Sequence, residues 1–115
     1  MSLGPENGCD TDEENIFYNL NGGYILLPIK EHVFADDLPF YRTQTDIVGK
    51  ITVCSSFLVS AERAKGIVTV TDISSVKSPR TICSLPTNAS PGKPVYFQNK
   101  IWLPCGYGGL LQLKL

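Results

Sequence analysis

Residues that carry chemistry are scarce in this chain of 115 residues, which has one histidine, one tryptophan and one methionine. Because His32 is the only imidazole, any Ser-His-Asp or Cys-His arrangement has a single candidate base. It lies in the polar stretch "IKEHVFADD" and is read as a solvated side chain. An excess of one charge is missing too: 10 Lys and Arg face 11 Asp and Glu, a formal net charge of −1. No summed positive field exists to hold a phosphate backbone, so nucleic acid is not an expected partner. No apolar run approaches the roughly 18 residues of a spanning helix, and the start lacks the basic and apolar regions of a signal peptide. Neither a membrane span nor a signal peptide is expected within this sequence.

Helical periodicity is absent as well, since no window of eleven or more residues offers an apolar stripe free of Gly, Pro or β-branched runs. What is present is a series of short strand signals. "NIFYNL", "YILLPI", "KITVCSSFLVS", "GIVTVTDI", "RTICSL", "KPVYF", "KIWLPC" and "GLLQLKL" are β-branched or aromatic and bounded by Gly, Pro, Asn, Asp or Ser. The chain is all-β. The stretch from Lys30 to Asp46 is the least regular and is expected to hold a long loop with a short strand at Phe40 to Thr43.

Self-similarity organises these strands. Lys50 to Asp72 aligns without a gap on Lys93 to Leu115, pairing Leu58 with Ile101, Gly66 with Gly109 and Val70 with Leu113 at a constant offset of 43. A weaker copy sets Ile16-Phe17-Tyr18 against Ile101-Trp102-Leu103 and Gly22-Gly23 against Gly108-Gly109. A period of about 40 to 45 residues with four short strands in each unit is that of a β-propeller blade. In the middle unit the strands are predicted at Ile51 to Ser55, Phe57 to Ala61, Gly66 to Ile73 and Arg80 to Leu85. The expected organisation is an acidic leader over 1–14, with Met1 to Leu3 set aside as added residues, and a repeat segment over 15–115. Its units run about 15–48, 49–91 and 92–115, or about two and two-thirds blades.

"GIVTVTDISSVKSP" and "KPVYFQNKIWLPCGYGGLLQLKL" resemble the LVIVD repeat of bacterial β-propeller proteins. The matching positions are Val70, Asp72, Ile73, Ser74, Pro79, Val95, Asn99, Ile101, Trp102, Leu103, Gly109 and Leu110. Pro104-Cys105 stands where that repeat has Ala-Asp, and no Asp follows the last strand. The resemblance implies an extracytoplasmic binding protein. Closed propellers need at least about four blades, so three resolutions stand: a piece of a longer gene, a homo-oligomer that closes the ring between chains, or a different fold such as a small β-sandwich.

The remaining motifs read structurally. Cys9, Cys54, Cys83 and Cys105 match no zinc spacing and contain no Cys-x-x-Cys pair; they read as inert thiols, with Cys105 beside its glycine turn the one open to reaction. Glu31, Asp36 and Asp37, with Asp10, Asp12, Glu13 and Glu14, lack the alternation and glycine of a calcium loop and read as a solvated acidic face. "NAS" at Asn88 reads as a turn. "CGYGG", Cys105 to Gly109, opens no helix and reads as a hairpin turn with Tyr107 at its tip. Tyr107, Trp102 and Tyr96 are the candidate ligand-binding residues, weighed against a core role for Trp102 and Phe97. No catalytic residue, metal or cofactor is expected. The function expected is a non-catalytic binding or assembly scaffold for a protein or carbohydrate. Its alternatives are a lectin-like module closed by oligomerisation and part of a larger propeller-containing enzyme.

Overall fold

The computed structural model describes residues 8–29 and 38–114. Eleven strands fill it: β1 Cys9–Thr11, β2 Asn15–Asn19, β3 Gly23–Pro28, β4 Phe40–Arg42, β5 Lys50–Cys54, β6 Phe57–Glu62, β7 Ile67–Asp72, β8 Arg80–Pro86, β9 Val95–Phe97, β10 Lys100–Pro104 and β11 Leu110–Leu113. A 3-10 turn over Gly106–Gly108 joins the last two. Among the described residues no helix is long and apolar enough to cross a membrane.

The strands form three antiparallel sheets, none closed on itself: β1-β2-β3-β4, then β5-β6-β7-β8, then β9-β10-β11. Each sheet is a meander of sequence neighbours, so no crossover is needed. The middle sheet lies within a residue or two of the predicted strands, and the short strand expected near Phe40 is β4. Cys9–Thr11, read as part of the leader, instead forms β1. Three residues are too short for a visible period, and Asp10, which reads as solvated, accepts the Val53 N–H at 2.6 Å.

The tight turns show where the 43-residue offset comes from. Ser55 and Gln98 take positive φ in the two-residue turns β5–β6 and β9–β10, and Gly66 and Gly109 do so just before the third strand of each sheet. The ungapped alignment fails one step later. Leu58 pairs with Thr71, but its counterpart Ile101 pairs with Leu113, so the paired residues lie one position closer in sequence in the third sheet than in the middle one. A slip of one residue exchanges faces, so Leu113 matches Thr71 and not Val70.

Both faces of β5, β6 and β7 in the middle sheet are buried. Toward the first sheet Ile51, Leu58 and Ile73 pack with Phe17, Tyr24, Leu26 and Ile47. Toward the third, Cys54, Val59, Ala61, Val68 and Val70 pack with Ile101, Leu103, Cys105 and Leu113. This double burial is why β6 and β7 read as continuous apolar runs. The first junction is also tied by polar groups. The Asn19 amide donates to Ile47 O at 2.5 Å and Gly49 O at 2.9 Å, the Tyr24 hydroxyl to Val76 O at 2.5 Å, and Thr81 N to Gln44 Oε1 at 2.7 Å. At the second junction the Thr52 hydroxyl donates to Pro94 O.

Two stability predictions follow from this packing. Gly49 has φ of +100°, and an added Cβ would meet Ala61 O at 1.9 Å, whereas Gly106, at φ +56°, has nothing within 4 Å. Gly49→Ala is therefore expected to cost more than about 2 kcal/mol and Gly106→Ala only about 1 kcal/mol, read from urea midpoints. Equal losses would refute the close approach. The fully buried Thr71 hydroxyl finds no hydrogen-bond partner, so Thr71→Val, which keeps the shape and removes the polar atom, is expected to gain about 1 kcal/mol. A loss on the same titration would mean that the hydroxyl is satisfied after all.

Candidate functional site

The first strands of the three sheets, β1, β5 and β9, succeed one another side by side, β1 against β5 and β5 against β9. They run in the same sense: Gly8 lies by Lys50 and Ile51 and Asp10 bonds Val53, while Gly92 and Lys93 come together with Gly49 and Lys50 at one end and Tyr96 with Cys54 and Ser55 at the other. Their starting ends therefore gather at one end of the molecule. A cavity of about 720 Å³ opens there, a size within the range of small-molecule sites.

Its chemistry comes from a short recurring pair. Gly49-Lys50 opens β5, and Gly92-Lys93 stands just before β9, 43 residues on. Lys50 and Lys93 line the cavity together with Arg63 from the β6–β7 turn, and Gly8, Gly49 and Gly92 bring the backbone to its wall. Ile51, Ala61 and Pro91 supply apolar surface. Three cationic side chains thus stand around one opening. The lysine pairing was visible in the repeat alignment as Lys50 against Lys93. That the two converge was not visible, because it depends on the strands running alongside one another.

Tyr96, Trp102 and Tyr107 do not form one site. Tyr96 pairs with Ile101 on β10 and lines a second cleft of about 400 Å³ between the middle and third sheets, at the opposite end from the cationic cavity; its hydroxyl donates to Asn99 Oδ1 at 2.9 Å. Trp102, one residue along from Ile101, faces the other side of the third sheet and is half-buried. Tyr107 stands fully exposed on the 3-10 turn beyond the far end of β10. Phe97, weighed as a core residue, is 60% exposed because it shares the open side with Trp102.

Compared with known proteins, the chain matches no family model, no curated protein and no solved structure. Its chemistry therefore has to be read from its own groups.

The acidic and thiol groups have structural roles. Asp12 Oδ1 accepts the N–H groups of Glu14 and Asn15 at 2.7 and 2.6 Å and closes the β1–β2 turn. Asp72 is held below the usual carboxylate range first by the Ser74 N–H and then by the Ser74 hydroxyl and Arg80, whose guanidinium lies 3.4 Å away. His32, Glu31, Asp36 and Asp37 lie outside the described residues. Among the described residues no three His, Cys, Asp or Glu side chains stand close enough to hold a metal ion.

All four cysteines are free. Cys105, read as the one open to reaction, is buried and only 4% exposed, because its turn folds the side chain back into the core; Cys9 is the exposed one. Burial, and then the Asp10 charge, push the Cys54 thiol up to about 11 from 9.0. A buried neutral thiol is a poor nucleophile.

Iodoacetamide near neutral pH is expected to modify Cys9 and to spare Cys54 and Cys105 until denaturant is added, as read by peptide mass spectrometry. Linkage gives a second readout. Between about 9 and about 11 the unfolded chain loses the Cys54 proton while the native state keeps it, so stability is intact below that window and falls as pH rises through it. Tyr24, raised by burial and by Tyr41, acts in the same direction at higher pH. The urea midpoint is expected to drop more steeply from pH 9 to 11 in the native sequence than in Cys54→Ala; parallel curves would refute the assignment.

Proposed function

We propose that the chain is a non-catalytic binding and assembly scaffold built of β-propeller-type repeats, as its resemblance to LVIVD repeats implies, with the cationic cavity as its small-ligand surface. The observation that carries the reading is that segments of all three sheets converge on one opening through the starts of β1, β5 and β9. Meanders whose first strands line a common axis are the arrangement of propeller blades, and the end of that axis is where such sheets build a shared site. The residues at the opening suit capture of an anion: Arg63 and Lys93 offer charge and hydrogen-bond donors, and the exposed Cys9 thiol lines the same cavity. The lectin-like alternative draws less support, because a sugar-stacking platform needs aromatic faces on one surface and Tyr96 and Trp102 lie on opposite ones.

An amide-resolved NMR titration at constant ionic strength, with citrate, inorganic phosphate and maltose as probes, tests this reading. Citrate or phosphate is expected to shift Gly49, Lys50, Gly92 and Lys93, and Arg63→Glu or Lys93→Glu to weaken that binding about tenfold, near 1.4 kcal/mol. Shifts confined to Trp102 and Tyr107 on adding maltose would reverse the order of the two readings.

A further inference from the structure

The two junctions inside the chain are built alike, and the pattern leaves one of each half unused. In the first sheet Asp10 pairs with Phe17, in the middle sheet Thr52 with Val59, and in the third Val95 with Trp102. The first two pairs face the sheet that follows and are covered by it. The third pair has no following sheet among the described residues. Its face is apolar and open, with Val95 50%, Phe97 60% and Leu110 62% exposed. At the other end of the stack, Ile16 pairs with Leu27 and Tyr18 with Ile25 on the outer face of the first sheet, beside Phe40, which is 43% exposed. Their counterparts in the middle and third sheets, Leu58 and Ile101, are buried against the preceding sheet.

We infer that a second copy of this chain covers the open face of the third sheet with the outer face of its own first sheet, and that the same contact repeated closes a two-fold ring. The inference rests on the propeller-type reading above. Continuity is the first argument: the new junction joins the same two kinds of face as the two internal ones. Charge is the second. The turns joining the first two strands of each sheet lie at one end of the molecule, because β1, β5 and β9 run in one sense. At that end the third sheet carries exposed Lys100 and Lys114, and the first carries exposed Glu13 and Glu14. A head-to-tail contact sets them side by side. Count is the third argument: the described residues of two copies hold six sheets, within the range of about four to eight seen in closed rings, and those of three copies would exceed it. Such a contact is heterologous, and it ends in a closed particle only if the rotation closes.

The sole tryptophan, Trp102, sits on the open face and reports its own coverage. Light scattering during size-exclusion chromatography of the 115-residue chain is expected to give a two-chain particle, with Trp102 emission shifting to the blue as concentration rises. Phe40→Lys on one face and Leu110→Lys on the other change residues that are exposed in the single chain, so folding is expected to survive, and each alone is expected to weaken association at least tenfold. Mixing the two variants restores one intact junction and is expected to return two-chain particles. A two-chain particle that Phe40→Lys leaves untouched would overturn the head-to-tail arrangement. A single chain at every concentration would overturn the second copy. Amide exchange at Val53 separates that failure from failure of the reading beneath it: protection in a single chain keeps β1 against β5, and its absence removes the propeller-type stack and the inference with it.

Discussion

Strands β5 to β7 of the middle sheet have no solvated face, and the rest of the molecule follows from that constraint. Val59, Val68, Val70 and Leu58 are fully buried, yet they point to opposite sides of the same sheet. Burying each such side chain is worth about 1.5 to 3 kcal/mol, so loss of either neighbouring sheet would leave a row of them in water. Neither flanking sheet is therefore optional. The close approach that makes this possible is local: Gly49 lies so near Ala61 that only hydrogen fits, and the turn at Gly66 brings β7 back against β6.

The two junctions use different chemistry for the same geometry. The second is mainly a pool of aliphatic and thiol side chains, which press sheets together without fixing their orientation closely. The first adds directional bonds. Asn19 holds two carbonyls of the strand-to-strand connector, Asp10 holds the Val53 amide, and Gln44 holds Thr81. The buried Asn19 amide and the Tyr24 hydroxyl are tolerated there because each finds a partner, and with Asp10 they pin how β5 lies along β1. That alignment sets where the starts of the inner strands meet, and so where the cationic cavity opens.

This division explains what could be read from the sequence. β5 to β7 were legible because double burial writes β-branched runs bounded by turn residues, as in "GIVTVTDI". Gly66 and Gly109 were legible because positive φ selects glycine. β1 was not: three residues carry no period, and an aspartate facing a backbone amide looks like one facing water. The face exchange at Leu113 was hidden by an alignment that matched glycines across turns of unequal length. Trp102 and Phe97 looked like core residues because their composition suits burial, although no described sheet covers their face. For the site, the recurring lysines were visible, but their convergence is a property of how strands lie together, which no single stretch encodes.

Net charge misleads here for a related reason. A formal charge of −1 argues against a broad electrostatic surface for nucleic acid, but a cavity responds to the groups around it and not to the sum over the chain. Glu13, Glu14 and Asp72 sit at the end where the first turns of the sheets gather, whereas Lys50, Arg63 and Lys93 gather at the other. The same length of β5 that buries Val53 and Cys54 keeps these sets apart by roughly 3.3 Å per residue, more than a Debye length of about 8 Å over the full strand. Their fields are largely screened from one another in physiological salt. A near-neutral chain can thus present a cationic opening at one end and a rim of mixed sign at the other, where Glu13, Glu14 and Asp72 stand with Arg80, Lys100 and Lys114, because its inner strands all point the same way.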